Sequence, residues 1–238
     1  MTNFAFQKFR MDQIISVVIP AFNEEKSIGK VVSDIDRNLV KHVIVVNNNS
    51  TDKTVQVASN AGAIVLDEKN KGYGWACLKG IAKTKELNTD IVVFLDGDYS
   101  DYPQEIIDVV APILNEEMDL VIGSRVLGIR EKGSLTPQQV FGNWLATRLI
   151  RIFYGASFTD LGPFRAIKSD VLEDLGMADK TYGWTIEMQI KAVKKKYKFK
   201  EVAVNYKKRI GVSKVSGTVK GTILAGIKII FAVFKYRF

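Results

Sequence analysis

Residues Asp90 to Asp98 constrain this chain more than any other stretch. Ile91 to Leu95 form an unbroken apolar run with Asp90 before it and Asp96 after it. Such a run predicts a strand buried on both faces of a parallel sheet. It ends abruptly in Asp96-Gly97-Asp98. Alternate residues of an extended chain point the same way, so Asp96 and Asp98 present two carboxylates together at the C-terminal end of a central strand. Open α/β sheets bind their ligands at that end. Two adjacent anions repel unless a cation lies between them, and hard oxygen donors at this density suit magnesium or manganese rather than zinc. In isolation the triplet also reads as a solvated polar turn. Its place directly after a fully apolar strand favours the metal site.

Composition removes several alternatives. A length of 238 residues with 47% apolar side chains suits one α/β domain, with or without an appendage. The single cysteine, Cys77, excludes an internal disulfide and a cysteine cluster for zinc. The single histidine, His42, argues against a histidine metal site or a Ser-His-Asp triad. Residues 1–13 are polar, aromatic and mixed in charge, unlike a secretory signal. No uninterrupted apolar run reaches the length of a membrane span, about 18 residues. The net charge of +8 is unevenly spread: Lys191 to Phe238 carries fourteen basic side chains against the single acid Glu201. A basic end on an acidic body predicts an anionic partner, either a membrane surface or nucleic acid. No recognised nucleic-acid-binding motif accompanies the basic residues, which leaves an anionic membrane.

Taken in order, strands are expected at Ile14–Ile19, stopped by Pro20, then at Val43–Val46, Ala63–Leu66, Ile91–Leu95 and Leu120–Ile122, with helices between them. Asn23 is expected to cap a helix that Glu24 and Glu25 favour electrostatically, and Ser50 or Thr51 to cap the next. Strands alternating with helices at this spacing predict an α/β fold with a mostly parallel, doubly wound sheet and helices on both faces. The polar residues Asn23, Asn47 to Asp52, Lys71 to Gly74, Asp96, Asp98 and Arg125 all follow strand C-termini. One rim of this kind suits a nucleotide: amides and hydroxyls for base and ribose, cations for a diphosphate. Lys71-Gly72-Tyr73-Gly74 lacks the spacing of a dinucleotide fingerprint, and no phosphate loop of the Gly-Lys-Ser/Thr type occurs.

Six motifs then carry a resemblance. They are Val17 to Glu25 (Val-Val-Ile-Pro-Ala-Phe-Asn-Glu-Glu), Asn48 to Thr54 (Asn-Asn-Ser-Thr-Asp-Lys-Thr), Asp96-Gly97-Asp98, Gly123-Ser124-Arg125, Asp160 to Ala166 and Arg209 to Lys214. Together, from about Ile15 to Lys214 and in order, they resemble the family-2 glycosyltransferases of the GT-A fold. The last two resemble segments of dolichyl-phosphate mannose and glucose synthases, with Pro163 inserted at the usual Gly-Phe junction. The resemblance implies that Pro20, Ala21, Asn23 and Glu24 hold the nucleoside. Asn48 and Asn49 stand near base and ribose, where the family often has aspartates, and Lys71 and Gly72 are placed with them as nucleotide-binding. Asp96 and Asp98 match the metal and diphosphate site for Mg2+ or Mn2+, and Ser100 stands where an additional ligand occurs. Arg125, Arg209, Ser213 and Lys214 match contacts to donor phosphate or acceptor.

The expected activity is therefore inverting transfer of a sugar from a UDP- or GDP-sugar to an acceptor, by resemblance a polyprenyl phosphate. A phosphate acceptor is already ionised near neutrality, its second pKa being about 6, and needs no base. A hydroxyl acceptor would need one, which falls to Glu187, at the start of a helix, or to Asp160. Transfer to such a hydroxyl, or a non-catalytic nucleotide-sugar-binding partner at a membrane, are the alternatives. Residues 137–154, opened by Thr136-Pro137, are expected to form a helix rich in aromatics and in Arg148 and Arg151. In the resembling family this region meets the lipid phosphate. The catalytic domain is expected over 1–214. The acid-free tail, 215–238, places Lys220, Lys228 and Lys235 within about 80° of helical arc. That predicts a basic amphipathic helix, lying in a membrane interface or docked on the domain, and a cytoplasmic protein peripheral to the inner membrane face.

Overall fold

The computed structural model describes residues 13–211 and 230–237. Seven strands form one sheet in the order β3-β2-β1-β4-β6-β5-β7. They are β1 (Ile15–Ala21), β2 (His42–Asn47), β3 (Ile64–Asp67), β4 (Ile91–Phe94), β5 (Leu120–Ser124), β6 (Arg165–Lys168) and β7 (Phe199–Ala203). The helices are α1 (Ile28–Ser33), α2 (Thr54–Asn60), α3 (Tyr73–Glu86), α4 (Ile106–Asn115), α5 (Pro137–Tyr154), α6 (Ser169–Leu175) and α7 (Trp184–Lys194), with a short 3-10 turn at Pro103–Glu105 leading into α4. The mixed, mostly parallel α/β architecture is the one expected. Every pairing is parallel except those of β6, which runs antiparallel between β4 and β5.

Strand alternation divides the core. Val18, Ile44, Val46, Val92, Phe94 and Ile122 face one layer with α3, α5 and α7, while Val17, Ile19, Val43, Val45, Val93 and Val121 face the other with α1 and α4. Phe94 meets Trp184 edge to face at 6.0 Å between ring centroids.

Three local expectations are corrected. Pro20 does not stop β1, which runs on to Ala21. Val18 O accepts from Leu95 N on the β4 side, and Ala21 O accepts from Asn48 N on the β2 side. Pro20 shares the orientation of Val18, two residues away, and the β1–β4 ladder ends at the Val18–Phe94 pair. The missing N–H therefore falls where no ladder remains. Neither Asn23 nor Ser50 nor Thr51 caps a helix: α1 and α2 have no side-chain cap. Those side chains instead lace the first two rim loops together. Finally, β6 was not foreseen. By contrast α5 starts as expected, with Thr136 and Gln139 exchanging hydrogen bonds in a capping box and Gly155 ending it at φ 71°.

Of the expected tail helix, residues 212–229 and Phe238 lie outside the described residues, so Lys220 and Lys228 carry no structural statement. Residues 230–235 are helical. This end packs on the domain: Val233 is fully buried, Phe234 meets Phe153 of α5 at 5.2 Å, and Lys194 of α7 donates to Tyr236 O at 2.6 Å.

Candidate active site

The chain lays down β1, steps outward to β2 and β3, and returns to place β4 on the other side of β1. The β1–β4 junction is thus a switch point, where loops diverge and leave a crevice at the strand C-termini. A cavity of about 330 Å³ opens there. Its lining includes Pro20 and Ala21 at the end of β1 and Glu24 after it, Asn48 after β2, Lys71 and Gly72 before α3, Asp96 and Asp98 after β4, and Arg209. Nine of the expected site residues therefore share one pocket. Phe22, Tyr73, Ala76, Gly97 and Tyr182 also line it, and sequence reasoning had not singled them out as site residues.

The first two loops are rigidly cross-tied. Asn23 N donates to Ser50 Oγ at 2.9 Å, and Thr51 N to Asn23 Oδ1 at 2.8 Å. Glu24 N donates to Thr54 Oγ1, Glu25 N to Asp52 Oδ2, and Lys53 N to Glu25 Oε2. Asn23, at φ 55°, thus fastens one loop to the other and is not among the pocket-lining residues. Asn48 sends its amide to Glu68 O and Asn70 O and accepts from Gly72 N at 2.8 Å, fixing the loop before α3. Asn49 turns away from the pocket and donates to Lys69 O.

Asp98 is nearly buried. Its Oδ1 accepts from Ser100 N at 2.9 Å and Ser100 Oγ at 2.5 Å, and its Oδ2 meets an Arg209 guanidinium nitrogen at 2.9 Å. The same nitrogen lies 3.5 Å from Glu24 Oε1. Ser100 is completely buried with its hydroxyl engaged by Asp98, so it orients that carboxylate. Burial, and then the charge of Asp98, push the Asp96 carboxyl up to about 7, against the pull of Arg209 and Arg125. Deeper still, Asp101 is buried with neither carboxylate oxygen hydrogen-bonded among the described residues. Desolvation, then Asp96 and Asp98, raise its pKa well above the usual range.

This anionic cluster fits a divalent cation. The donors are hard oxygens, and a bound cation would offset both the burial and the Asp98 charge that raise Asp96. Among the described residues no group of three or more His, Cys, Asp or Glu side chains could hold a metal by itself. The pair suits magnesium or manganese, ions held by one or two carboxylates plus substrate phosphates and water.

Arg125 sits apart from the pocket lining. Asp160 accepts from its Nε and NH2, both at 2.7 Å, and from its backbone N at 2.8 Å, while the guanidinium lies 5.0 Å from the Tyr206 ring centroid. Burial opposes ionisation of Asp160, yet Arg125 holds its carboxyl below the ordinary value. Ser213 and Lys214 lie outside the described residues.

The expectation of a base at Glu187 or Asp160 is corrected. Asp160 is 1% exposed and spent on Arg125. Glu187 is 0% exposed. Its oxygens accept from Ala178 N at 3.0 Å, Asp179 N at 2.7 Å and the Tyr236 hydroxyl at 2.8 Å, and Lys191 Nζ lies 2.7 Å away. Neither residue lines the cavity.

Comparison with known proteins follows the same line. The family model of glycosyl transferase family 2 matches residues 16–176. A glycosyltransferase of Mycobacterium tuberculosis, itself uncharacterised, is 33% identical over 214 residues, covering 89% of this chain and 94% of that protein. A dolichyl-phosphate hexose transferase of Haloferax volcanii is 29% identical, covering 88% and 90% respectively. A UDP-N-acetylglucosamine–dolichyl-phosphate N-acetylglucosaminyltransferase of Methanococcus voltae is 29% identical, covering 81% and 85%. The solved structure of glucosyl-3-phosphoglycerate synthase from Mycobacterium tuberculosis, in complex with Mn2+, UDP and phosphoglyceric acid, superposes with a TM-score of 0.75. It covers 95% of this chain and 79% of that one at 23% identity, a likeness of fold.

Proposed function

The chain belongs to glycosyl transferase family 2 and has the GT-A fold, and from that premise we propose that it transfers a sugar, with inversion, from a nucleotide-sugar to a polyprenyl phosphate. The observation that carries this reading is the composition of one pocket. Pro20, Ala21, Asn48 and Gly72, suited to a nucleoside, and Asp96, Asp98 and Arg209, suited to a metal-bound diphosphate, line one cavity of about 330 Å³.

Each set has a task. Backbone and amide groups after β1 and β2 hold base and ribose, already fixed by the loop lacing. Asp96 and Asp98 hold a divalent cation, which when bound stabilises negative charge on the departing diphosphate. Arg209 adds a charge-assisted contact to the same phosphates. The acceptor oxygen attacks the anomeric carbon from the opposite face. The bond to the nucleoside diphosphate breaks with its electron pair leaving on the diphosphate oxygen, and no proton has to be removed from a phosphate acceptor. The pocket lining supports that acceptor class. Among the described residues its only carboxylates are Glu24, Asp96 and Asp98, and Glu24 already receives the Ser27 hydroxyl and faces Arg209. A hydroxyl acceptor would be left without a positioned base.

The surface of α5 supports a lipid. Val140, Phe141, Trp144, Arg148, Arg151 and Ile152 are all exposed and share one helical stripe, with Phe141 at 61% and Trp144 at 58%. Aromatic and aliphatic residues with flanking arginines suit a membrane interface carrying anionic lipid. Asn143, on the same helix, bonds Thr159 O and Leu161 N and so ties this surface to the loop that holds Arg125. The exposed stripe supports peripheral attachment, which we assign to the inner face; among the described residues no helix is long and apolar enough to cross a membrane.

A donor screen tests the reading. UDP- and GDP-sugars are presented with Mn2+, with and without a short polyprenyl phosphate, and released nucleoside diphosphate is measured. We expect release that depends on both Mn2+ and the lipid phosphate. Efficient release with a sugar acceptor, and none with the lipid phosphate, would overturn the acceptor assignment.

A further inference from the structure

Glu187 is too deeply engaged to be a base, and its partners suggest another office. Two of them, the N–H groups of Ala178 and Asp179, open a loop that runs to Gly183. Asp179 carries the order onward, its Oδ1 accepting from Thr181 N at 2.7 Å and Gly183 N at 3.1 Å. The loop lies hard against the start of α3. Lys180 O accepts from Trp75 N at 3.3 Å, and Lys180 Nζ stands 4.2 Å from the Trp75 ring centroid. A Cβ added at Gly72 would come within 2.2 Å of Lys180 O, and one at Gly74 within 2.1 Å of Asp179 O. Only glycine allows so close an approach. Gly72 and Tyr73 line the donor pocket from the α3 side, and Tyr182, within the loop, lines it directly.

Another partner of Glu187 comes from the far end of the chain. The Tyr236 hydroxyl donates to Glu187 Oε1 at 2.8 Å, while Lys191 Nζ binds the same oxygen at 2.7 Å and lies 5.3 Å from the Tyr236 ring centroid. Tyr154 donates to Val233 O, so that segment is held on α5 and α7 together.

We propose that Glu187 and Tyr236 are positioning residues for donor binding: the docked segment 230–237 holds Glu187, Glu187 holds the Ala178–Gly183 loop, and that loop sets the wall of the nucleotide pocket at Gly72, Tyr73 and Tyr182. This rests on the pocket being the nucleotide site. The consequence is a coupling between the donor pocket and the docked segment, which meet at one carboxylate oxygen of α7. Release of the segment loosens the wall and weakens the donor, and by linkage a bound nucleotide tightens the segment. Whatever draws 230–237 off α5 and α7 thereby lowers donor affinity.

The test uses the full chain with Tyr236→Phe, which removes one hydroxyl, and Glu187→Gln, which replaces an oxygen that accepts a backbone N–H by an NH2 that cannot. Two quantities are read. The first is amide hydrogen exchange at 72–76, 178–183 and 230–237 without nucleotide. The second is the affinity for UDP and for GDP, each with Mn2+, together with donor KM and kcat. Faster exchange at 178–183 and 72–76 is expected in both variants. Nucleotide affinity should fall about threefold to tenfold, one lost hydrogen bond being a change of that order. Donor KM should rise in step, with kcat preserved. Added nucleotide should slow exchange at 230–237 in the wild type. Unchanged exchange at both loops, or a lowered melting temperature with nucleotide affinity intact, would overturn the relay and leave Glu187 a purely structural ion. If the wild type bound neither nucleotide, the proposed function would fail, while the exchange measured without nucleotide would still decide whether the relay exists.

Discussion

The two sides of the rim that carries the pocket are built by different means. On the side of β1 and β2, the loops that follow the strands fasten themselves to each other over short distances, Asn23 to Ser50 and Thr51, and Glu25 to Asp52 and Lys53. On the side of β5 and α7, order comes from distant pieces of chain. Arg125 is held by Asp160, Asp160 N by Glu201, and the Ala178–Gly183 loop by Glu187 with Tyr236 behind it. Local lacing fixes the first part by its own loops. Long-range contacts make the shape of the second depend on other regions of the molecule.

The sharpest break in this comparison lies on the seam between the two sides. Asp98→Asn removes the charge that binds Arg209 and, in the proposed site, the cation. Loss of metal-dependent nucleotide binding is expected, at least 100-fold by calorimetric titration with Mn2+, which corresponds to about 2.7 kcal/mol or more. The variant should keep its far-UV circular dichroism, because the residue stands beyond the end of β4 and its backbone contacts, Ile210 N to Asp98 O included, do not need the charge. Wild-type affinity in this variant would remove Asp98 from the diphosphate site.

On the distant-contact side, Asp160→Asn is expected to cost stability rather than nucleotide. It leaves the partly buried Arg125 without its counter-ion, and breaking a buried pair from one side costs about 3–5 kcal/mol, an upper bound here because Arg125 keeps some exposure. Urea unfolding measures it. The pH dependence has a definite sign. The folded pKa of Asp160 is lowered by Arg125, so the pair's contribution is complete above the unfolded value of about 3.9 and is lost as pH falls through the folded one. The gap between wild type and variant should thus be constant near neutrality and close only below about pH 4. A gap that closed between pH 5 and 7 would show that the pair is not what holds Arg125.

The same division explains what could be read from residues alone. Strands β1 to β5 announce themselves as apolar runs, and Asn48, Gly72, Asp96 and Asp98 were read from the loops at their C-terminal ends, whereas Pro20 and Ala21 came from the family resemblance. Asn23 was placed in the right loop but given the wrong task, since a cap and a loop tie use the same side-chain oxygen and only the partner distinguishes them. β6 was missed because four residues, Arg165 to Lys168, carry charge at both ends and are made a strand by neighbours far off in sequence. Glu187 was misread for a related reason. Its place in the first turn of α7 suits an exposed acid, yet Trp184, Ile186, Met188 and Ile190 surround it with apolar side chains on every side of the helix. That all-round pattern was a legible sign of burial. Tyr182 carried no such sign, since its place in the pocket depends on the loop that Glu187 anchors.

The smallest expected effect on stability falls on the outermost part of the distant-contact side. Trp144 is more than half exposed, its ring 5.8 Å from that of Phe141, with Arg148 one turn further along α5. Replacing it by serine removes little core, so unfolding free energy should change by no more than about 0.5 kcal/mol. If α5 meets a membrane, an indole at the interface contributes apolar contact while the arginines contribute about 1 kcal/mol each near an anionic surface. Trp144→Ser should therefore weaken sedimentation with phosphatidylserine vesicles while leaving nucleotide binding unaltered, because no residue of α5 lines the donor pocket. Raising salt should weaken the arginine share and not the tryptophan share, so the variant and the wild type should converge least at high salt. Vesicle binding unchanged by the substitution at every salt concentration would move the membrane contact away from α5, and would leave its exposed aromatic stripe to a protein partner.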